Sequence, residues 1–189
     1  MRLSPKLSHM TLDDFQKDLR RSYVGGGPGA VVSGIVWALA AVMTARSGIA
    51  IGFATLFIGG IFIFPIGTFI SRFIFKQSSL DPKNPGGRIV IETLPAMFVG
   101  LFIAYTFISI NPEYVFPIAA MAVGSHYFSF RTAYGDILYW VLGAIMTAIG
   151  AAAILGYFTL PFSTVAGIAS VEIVFGIILT VKALRETRA

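Results

Sequence analysis

Two ionisable side chains interrupt the apolar stretches of this chain, Glu172 in Ile-Ala-Ser-Val-Glu-Ile-Val-Phe and His126 in Val-Gly-Ser-His-Tyr-Phe. A carboxyl and an imidazole at one level inside a helix bundle can share a proton or hold a small polar ligand. A charge at the centre of a bilayer costs at least ~2.5–3.5 kcal/mol, so Glu172 must be neutralised, paired or wetted. Counted from Phe162 at ~1.5 Å per residue, Glu172 lies ~15 Å down its helix. Counted from Tyr114, His126 lies ~18 Å down its own, at nearly the same depth. Ala169 and Gly176 share a face with Glu172, and Ala119, Ala122 and Ser129 share one with His126. Small residues on both faces place the pair inside the bundle. The functional reading is a proton relay or a ligand site. The plain alternative is a buried hydrogen-bonded pair, or a neutral Glu172 bonded to a Ser or Thr.

Glu92 follows Arg88 by one helical turn. An interfacial ion pair with Arg88, Arg72 or Arg131 is the simple account. The other is an inner vestibule lined by Glu92, Arg72 and Arg131 and leading to His126. Trp37 sits mid-span and is expected to fill the core, whereas Tyr139 and Trp140 suit an interfacial aromatic belt. Other chemistry is sparse. His9 and His126 are the two histidines and there is no cysteine, so no metal-ligand spacing exists and no metal or cofactor is expected. The glycine run 25–29 lacks the features of a nucleotide-binding loop, and no Ser sits in a nucleophile elbow. An enzyme ranks third among the readings, because only Glu92 with Asp136 offers a carboxylate set.

These side chains need membrane-crossing elements to position them. Apolar residues make up 56% of the chain and charged residues 12%, about half the charged share of a soluble domain. Six apolar stretches, at about 29–45, 48–71, 89–110, 112–130, 137–157 and 160–182, are long enough to span ~30 Å of hydrocarbon. Drawn as six spans, they leave every Lys and Arg except Arg46 on one side. That asymmetry puts both termini in the cytoplasm. The net charge of +5 then serves anionic lipid headgroups, and no nucleic-acid partner is expected. The first apolar run begins after Gly29 and continues past Ala38-Leu39-Ala40, so no cleavable signal is expected.

The expected fold is all-α: a six-transmembrane-helix bundle, residues 28–189, preceded by a cytoplasmic segment, residues 1–27. Within that segment Leu12, Phe15, Leu19 and Tyr23 recur at helical spacing, with Thr11 as N-cap. They predict a short amphipathic helix, lying on the membrane surface or packed on the protein's own loops. Gly25 to Gly29 breaks it. Asn111 and Asp136 are expected to cap the fourth and fifth spans, and Pro65, Pro95 and Pro117 to kink theirs. Ala144, Ala148, Ala152 and Gly156 form a small-residue stripe for close helix packing, against the same chain in preference to a second copy in a homo-oligomer. Thr93-Leu94-Pro95 echoes Thr159-Leu160-Pro161, but three residues fit chance better than an inverted duplication.

The segment Arg20-Arg21-Ser22-Tyr23-Val24-Gly25-Gly26-Gly27-Pro28-Gly29, with Ser33-Gly34, Trp37, Phe64-Pro65, Asn84-Pro85, Gly87-Arg88, Glu92, Tyr134-Gly135 and Tyr139-Trp140, resembles a family of small bacterial inner-membrane proteins without an assigned function. The resemblance implies a multi-pass protein and supplies neither substrate nor catalytic residue.

Two functions are compatible with these features. One is a small-solute transporter or ligand-binding membrane protein using Glu172 and His126. The other is a non-transporting structural or sensory protein, acting through residues 12–23 and the loop 76–88 on its basic cytoplasmic surface.

Overall fold

A computed structural model describes residues 11–157 and 161–186, without the side chains of 161–163. His9 and the Thr159-Leu160 half of the sequence echo lie outside the described residues. Among the described residues there is no strand. The helices are α1 (Leu12–Ser22), α2 (Gly27–Ser47), α3 (Ile49–Phe69), α4 (Gly86–Glu92), α5 (Leu94–Ile110), α6 (Val115–Tyr134), α7 (Leu138–Ile154) and α8 (Pro161–Glu186). Among the described residues, four segments, Val24–Ser47, Ile49–Ile74, Gly86–Ile110 and Thr164–Glu186, are long and apolar enough to cross a membrane. The shorter apolar helix α7 and the more polar α6 pack side by side with them. The outward faces of α3 and α5 carry Ile61, Phe62, Phe64, Val99 and Phe102, all exposed. Apolar surface on that scale fits a membrane protein.

Neighbouring helices run around the bundle in the order α3, α2, α8, α7, α6, α5. At its centre Trp37 is 1% exposed, with ring centroids 6.4 Å from Phe116. Core filling is therefore its role. Glycines set how closely the helices approach. A Cβ on Gly176 of α8 would lie 2.6 Å from the Val31 amide nitrogen of α2, and one on Gly34 would lie 2.9 Å from the Ala169 carbonyl of α8. Gly143 and Gly150 do the same for α7 against α6, facing the Gly124 and Pro117 carbonyls. The expected stripe is corrected here. Ala144, Ala148 and Gly156 are exposed, because the packing face of α7 is the adjacent one bearing Gly143, Met146 and Gly150.

Pro117 does not interrupt a helix: it lies in the first turn of α6, where no intrahelical N–H is required. Pro95 falls inside the apolar segment Gly86–Ile110, which breaks at Thr93 between α4 and α5. Pro65 does sit inside α3, which ends in a wide turn over Ile70–Ile74. Asn111 precedes a short turn, Pro112–Tyr114, without a side-chain cap. The Asp136 carboxylate accepts from the Leu138 amide at 3.0 Å and pairs with Lys182 at 2.7 Å, tying the start of α7 to the end of α8.

Helix α1 buries Phe15 and Leu19 against Gly86 of α4. Its apolar face is turned to the protein's own loops. The Gln16 amide donates to the Thr132 carbonyl at 2.8 Å, and Asn84 donates to the Phe15 carbonyl at 3.0 Å. Thr11 and Asp14 form a reciprocal capping box, and the Thr11 hydroxyl and amide hold the Asp14 carboxyl below its ordinary value of 3.8. A lowered folded-state value means that this contribution is present above pH 3.8 and is lost as pH falls through the folded value. Protection of the amides at residues 12–15, relative to their intrinsic exchange rates, is therefore expected to fall selectively on acidification, and Thr11→Ala to show the low protection at neutral pH. An identical acid profile in Thr11→Ala and the parent would refute that role.

The chain enters α2 through a left-handed turn. Val24, Gly25 and Gly26 have φ of 51°, 64° and 74°. Glycine adopts this region freely, but a β-branched residue does so only under strain.

Candidate functional site

Glu172 stands near the middle of α8 and is 0% exposed. The Tyr127 hydroxyl of α6 donates to its Oε1 at 2.8 Å. The Ser33 hydroxyl of α2 faces the same carboxyl, yet Oε2 is left without a hydrogen bond. Three helices thus converge on one carboxyl that is half satisfied. Among the described residues, no Lys, Arg or His lies within 4 Å of it. A carboxylate so placed has an unused acceptor, and a protonated carboxyl has an unused donor. Either state leaves one position for an incoming proton or polar group.

His126 is not its partner. Consecutive residues on an α-helix point ~100° apart, so Tyr127 turning toward α8 sends His126 toward α5. The imidazole Nδ1 is bonded to the Thr93 hydroxyl at the break between α4 and α5. That hydroxyl also lies 2.8 Å from the Val90 carbonyl. Ser129 completes this second polar cluster, donating to the His126 carbonyl at 2.8 Å.

The remaining expected site residues are not brought together. Glu92, Arg72 and Arg131 are all exposed. Among the described residues, Glu92 forms no ion pair with Arg88, Arg72 or Arg131. The Arg131 guanidinium lies instead over Trp140, 5.2 Å from the ring centroid.

Sequence reasoning overlooked the tyrosines. Tyr139 was expected at an interfacial belt, but it is 1% exposed and its hydroxyl donates to the Gly25 carbonyl at 2.6 Å. Its ring is 5.2 Å from that of Tyr134 and 6.1 Å from that of Tyr127. The three rings form a column from the α6–α7 turn to Glu172. Tyr127 and Ser33 carried faint signals, one adjoining His126 and the other adjoining Gly34.

On the face formed by α1 and the following loops, an open cleft is lined by Asp18, Arg21, Ser79, Leu80, Asp81 and Pro82. Asp18 accepts there from the Asp81 amide at 3.1 Å and from Asn84 at 2.9 Å.

Residues 12–182 match a family described as a family of unknown function, DUF7010. The chain belongs to it. Neither a curated protein nor a solved structure matches the chain.

Proposed function

We propose that this DUF7010 member is a six-span protein of a bacterial inner membrane, with both termini cytoplasmic, that takes up and releases a proton at Glu172 while moving a small polar solute. The observation that carries this reading is a fully buried carboxyl with one oxygen unbonded. A buried side-chain polar atom ordinarily has at least one hydrogen-bond partner, and Oε2 has none. An intramembrane carboxyl held by small hydroxyls and no cation can change protonation without breaking an ion pair. Tyr127 is the titratable group that faces it, and Tyr139 stands behind Tyr127. His126, with Thr93 and Ser129, supplies a separate polar cluster for the solute on α5 and α6. The sorting of basic residues to one side supports the orientation, and four helices of spanning length support the membrane setting.

The test is proton flux into vesicles carrying a trapped pH-sensitive dye after an imposed pH step. Glu172→Gln keeps the shape of the side chain and removes its titration, and is expected to lower the flux at least tenfold while the protein still folds. Wild-type flux in that variant would sink the proposal. Glu92→Gln, at an exposed side chain, should leave the flux unchanged.

The alternative is a non-transporting structural or sensory role at the surface formed by α1 and the loop 76–88, favoured by the cleft they share. Deleting residues 1–23 should then abolish the phenotype while Glu172→Gln leaves it intact.

A further inference from the structure

The tyrosine column ends where α1 sits. Arg20 of α1 donates to the Tyr134 carbonyl and lies 3.7 Å from the Glu186 carboxylate. Gln16 holds the Thr132 carbonyl beside it. At the far end of the column the Tyr127 hydroxyl is on Glu172. Between them the Tyr139 hydroxyl is committed to the Gly25 carbonyl, which belongs to the left-handed turn joining α1 to α2. A Cβ on Gly26 would overlap the Tyr139 hydroxyl and lie 3.1 Å from Tyr134 Cζ. The turn therefore packs directly onto the ends of both rings.

We infer that α1 is a latch regulating proton access to Glu172, with the turn Val24–Gly26 as its hinge. The inference rests on the reading of Glu172 as a proton site. In the closed arrangement seen here, the turn covers the ends of the buried Tyr134 and Tyr139 rings, so water does not reach the column that leads to Glu172. Moving α1 away pulls on the turn, withdraws the Gly25 carbonyl from the Tyr139 hydroxyl and opens that end of the column to water.

Two features suit α1 to this task. Much of its hold is polar and partly exposed: Gln16 and Arg20 on the last turn of α6 and Asp18 on the 76–88 loop, with two buried apolar side chains, Phe15 and Leu19. Such a contact opens locally at much lower cost than the bundle core. Val24 is 2% exposed and sits at φ 51°, so the closed hinge stores strain that opening can release. The charges facing the column mouth are Arg20 from α1, Asp136 before α7, and Lys182 and Glu186 from α8. The last three remain on the bundle when α1 leaves.

The chain has no cysteine, so introduced pairs react alone. Gln16→Cys with Thr132→Cys, joined by a short bis-maleimide with a reducible centre, would fix α1 closed. Proton flux in dye-loaded vesicles is expected to fall about tenfold on cross-linking and to return on reduction. Each single-cysteine variant should show the same flux before and after treatment with the reagent, whatever its own level. Gln16→Ala, which weakens the latch, should raise flux about threefold. Unchanged flux in the cross-linked protein, with Glu172→Gln still abolishing flux, would overturn the latch and leave the proton site standing. Wild-type flux in Glu172→Gln would overturn both.

Discussion

Gly176→Ala is expected to destabilise the bundle by about 3 kcal/mol, the upper end of what one added carbon costs in a packed interior. The added Cβ would lie 2.6 Å from the Val31 amide nitrogen and 2.9 Å from the Gly27 carbonyl. Both are backbone atoms, so neither can move aside by changing rotamer. Helix α2 would have to back away from α8 along the contact that also holds Ser33 against Glu172. For a chain of this size the melting midpoint in detergent should drop by roughly 6–12 °C. Gly60→Ala is the matched control, since a Cβ there meets nothing within 4 Å. It should be neutral or slightly stabilising, because Ala is the better helix former by about 1 kcal/mol. Equal melting of the two variants would mean that α2 and α8 do not meet as described.

Tyr127→Phe should cost about 2 kcal/mol, the range for losing a hydrogen bond to a charged or strongly polar buried group. It strips Glu172 of the Tyr127 hydroxyl, leaving Ser33 as its neighbour, while Oε2 is already unbonded. The double variant Tyr127→Phe/Glu172→Met removes both polar ends at similar volume. It should recover most of the loss, since deleting a buried pair together avoids an orphaned group. The four proteins form a thermodynamic cycle read by chemical or thermal unfolding in detergent. Additive losses, with no coupling between the two positions, would show that the hydroxyl and the carboxyl do not interact. Proton flux distinguishes function from folding in the same set: Tyr127→Phe should slow it, and both Glu172 variants should abolish it.

Much of the helix plan is legible in the sequence because hydropathy is a local property. The apolar stretches at 48–71 and 89–110 correspond to α3 with its terminal turn and to α4 with α5, and Gly25–Gly29 marks the break before α2. The spacing of Phe15 and Leu19 identifies the face that α1 buries, though not what covers it. Trp37 as core filler follows from its distance to either interface. The small-residue stripe misled because small size signals a close approach only where a partner is present. Ala144, Ala148 and Ala152 have that size on the outer side of α7, while Gly143 and Gly150 meet α6.

The candidate site divides along the same line. Depth follows from residue number, since each residue advances ~1.5 Å along the axis. The position of Glu172 midway along its helix, and the need for something to satisfy it, were therefore determined by the sequence alone. Direction around the axis is relative to neighbouring helices, and those are placed by contacts between residues far apart in the chain. Only the tertiary structure could decide that Tyr127 and Ser33 meet Glu172 while His126, one residue and ~100° away, turns to Thr93. The same packing brought Tyr139 to the Gly25 carbonyl, across more than half the chain, where no local pattern could have announced it.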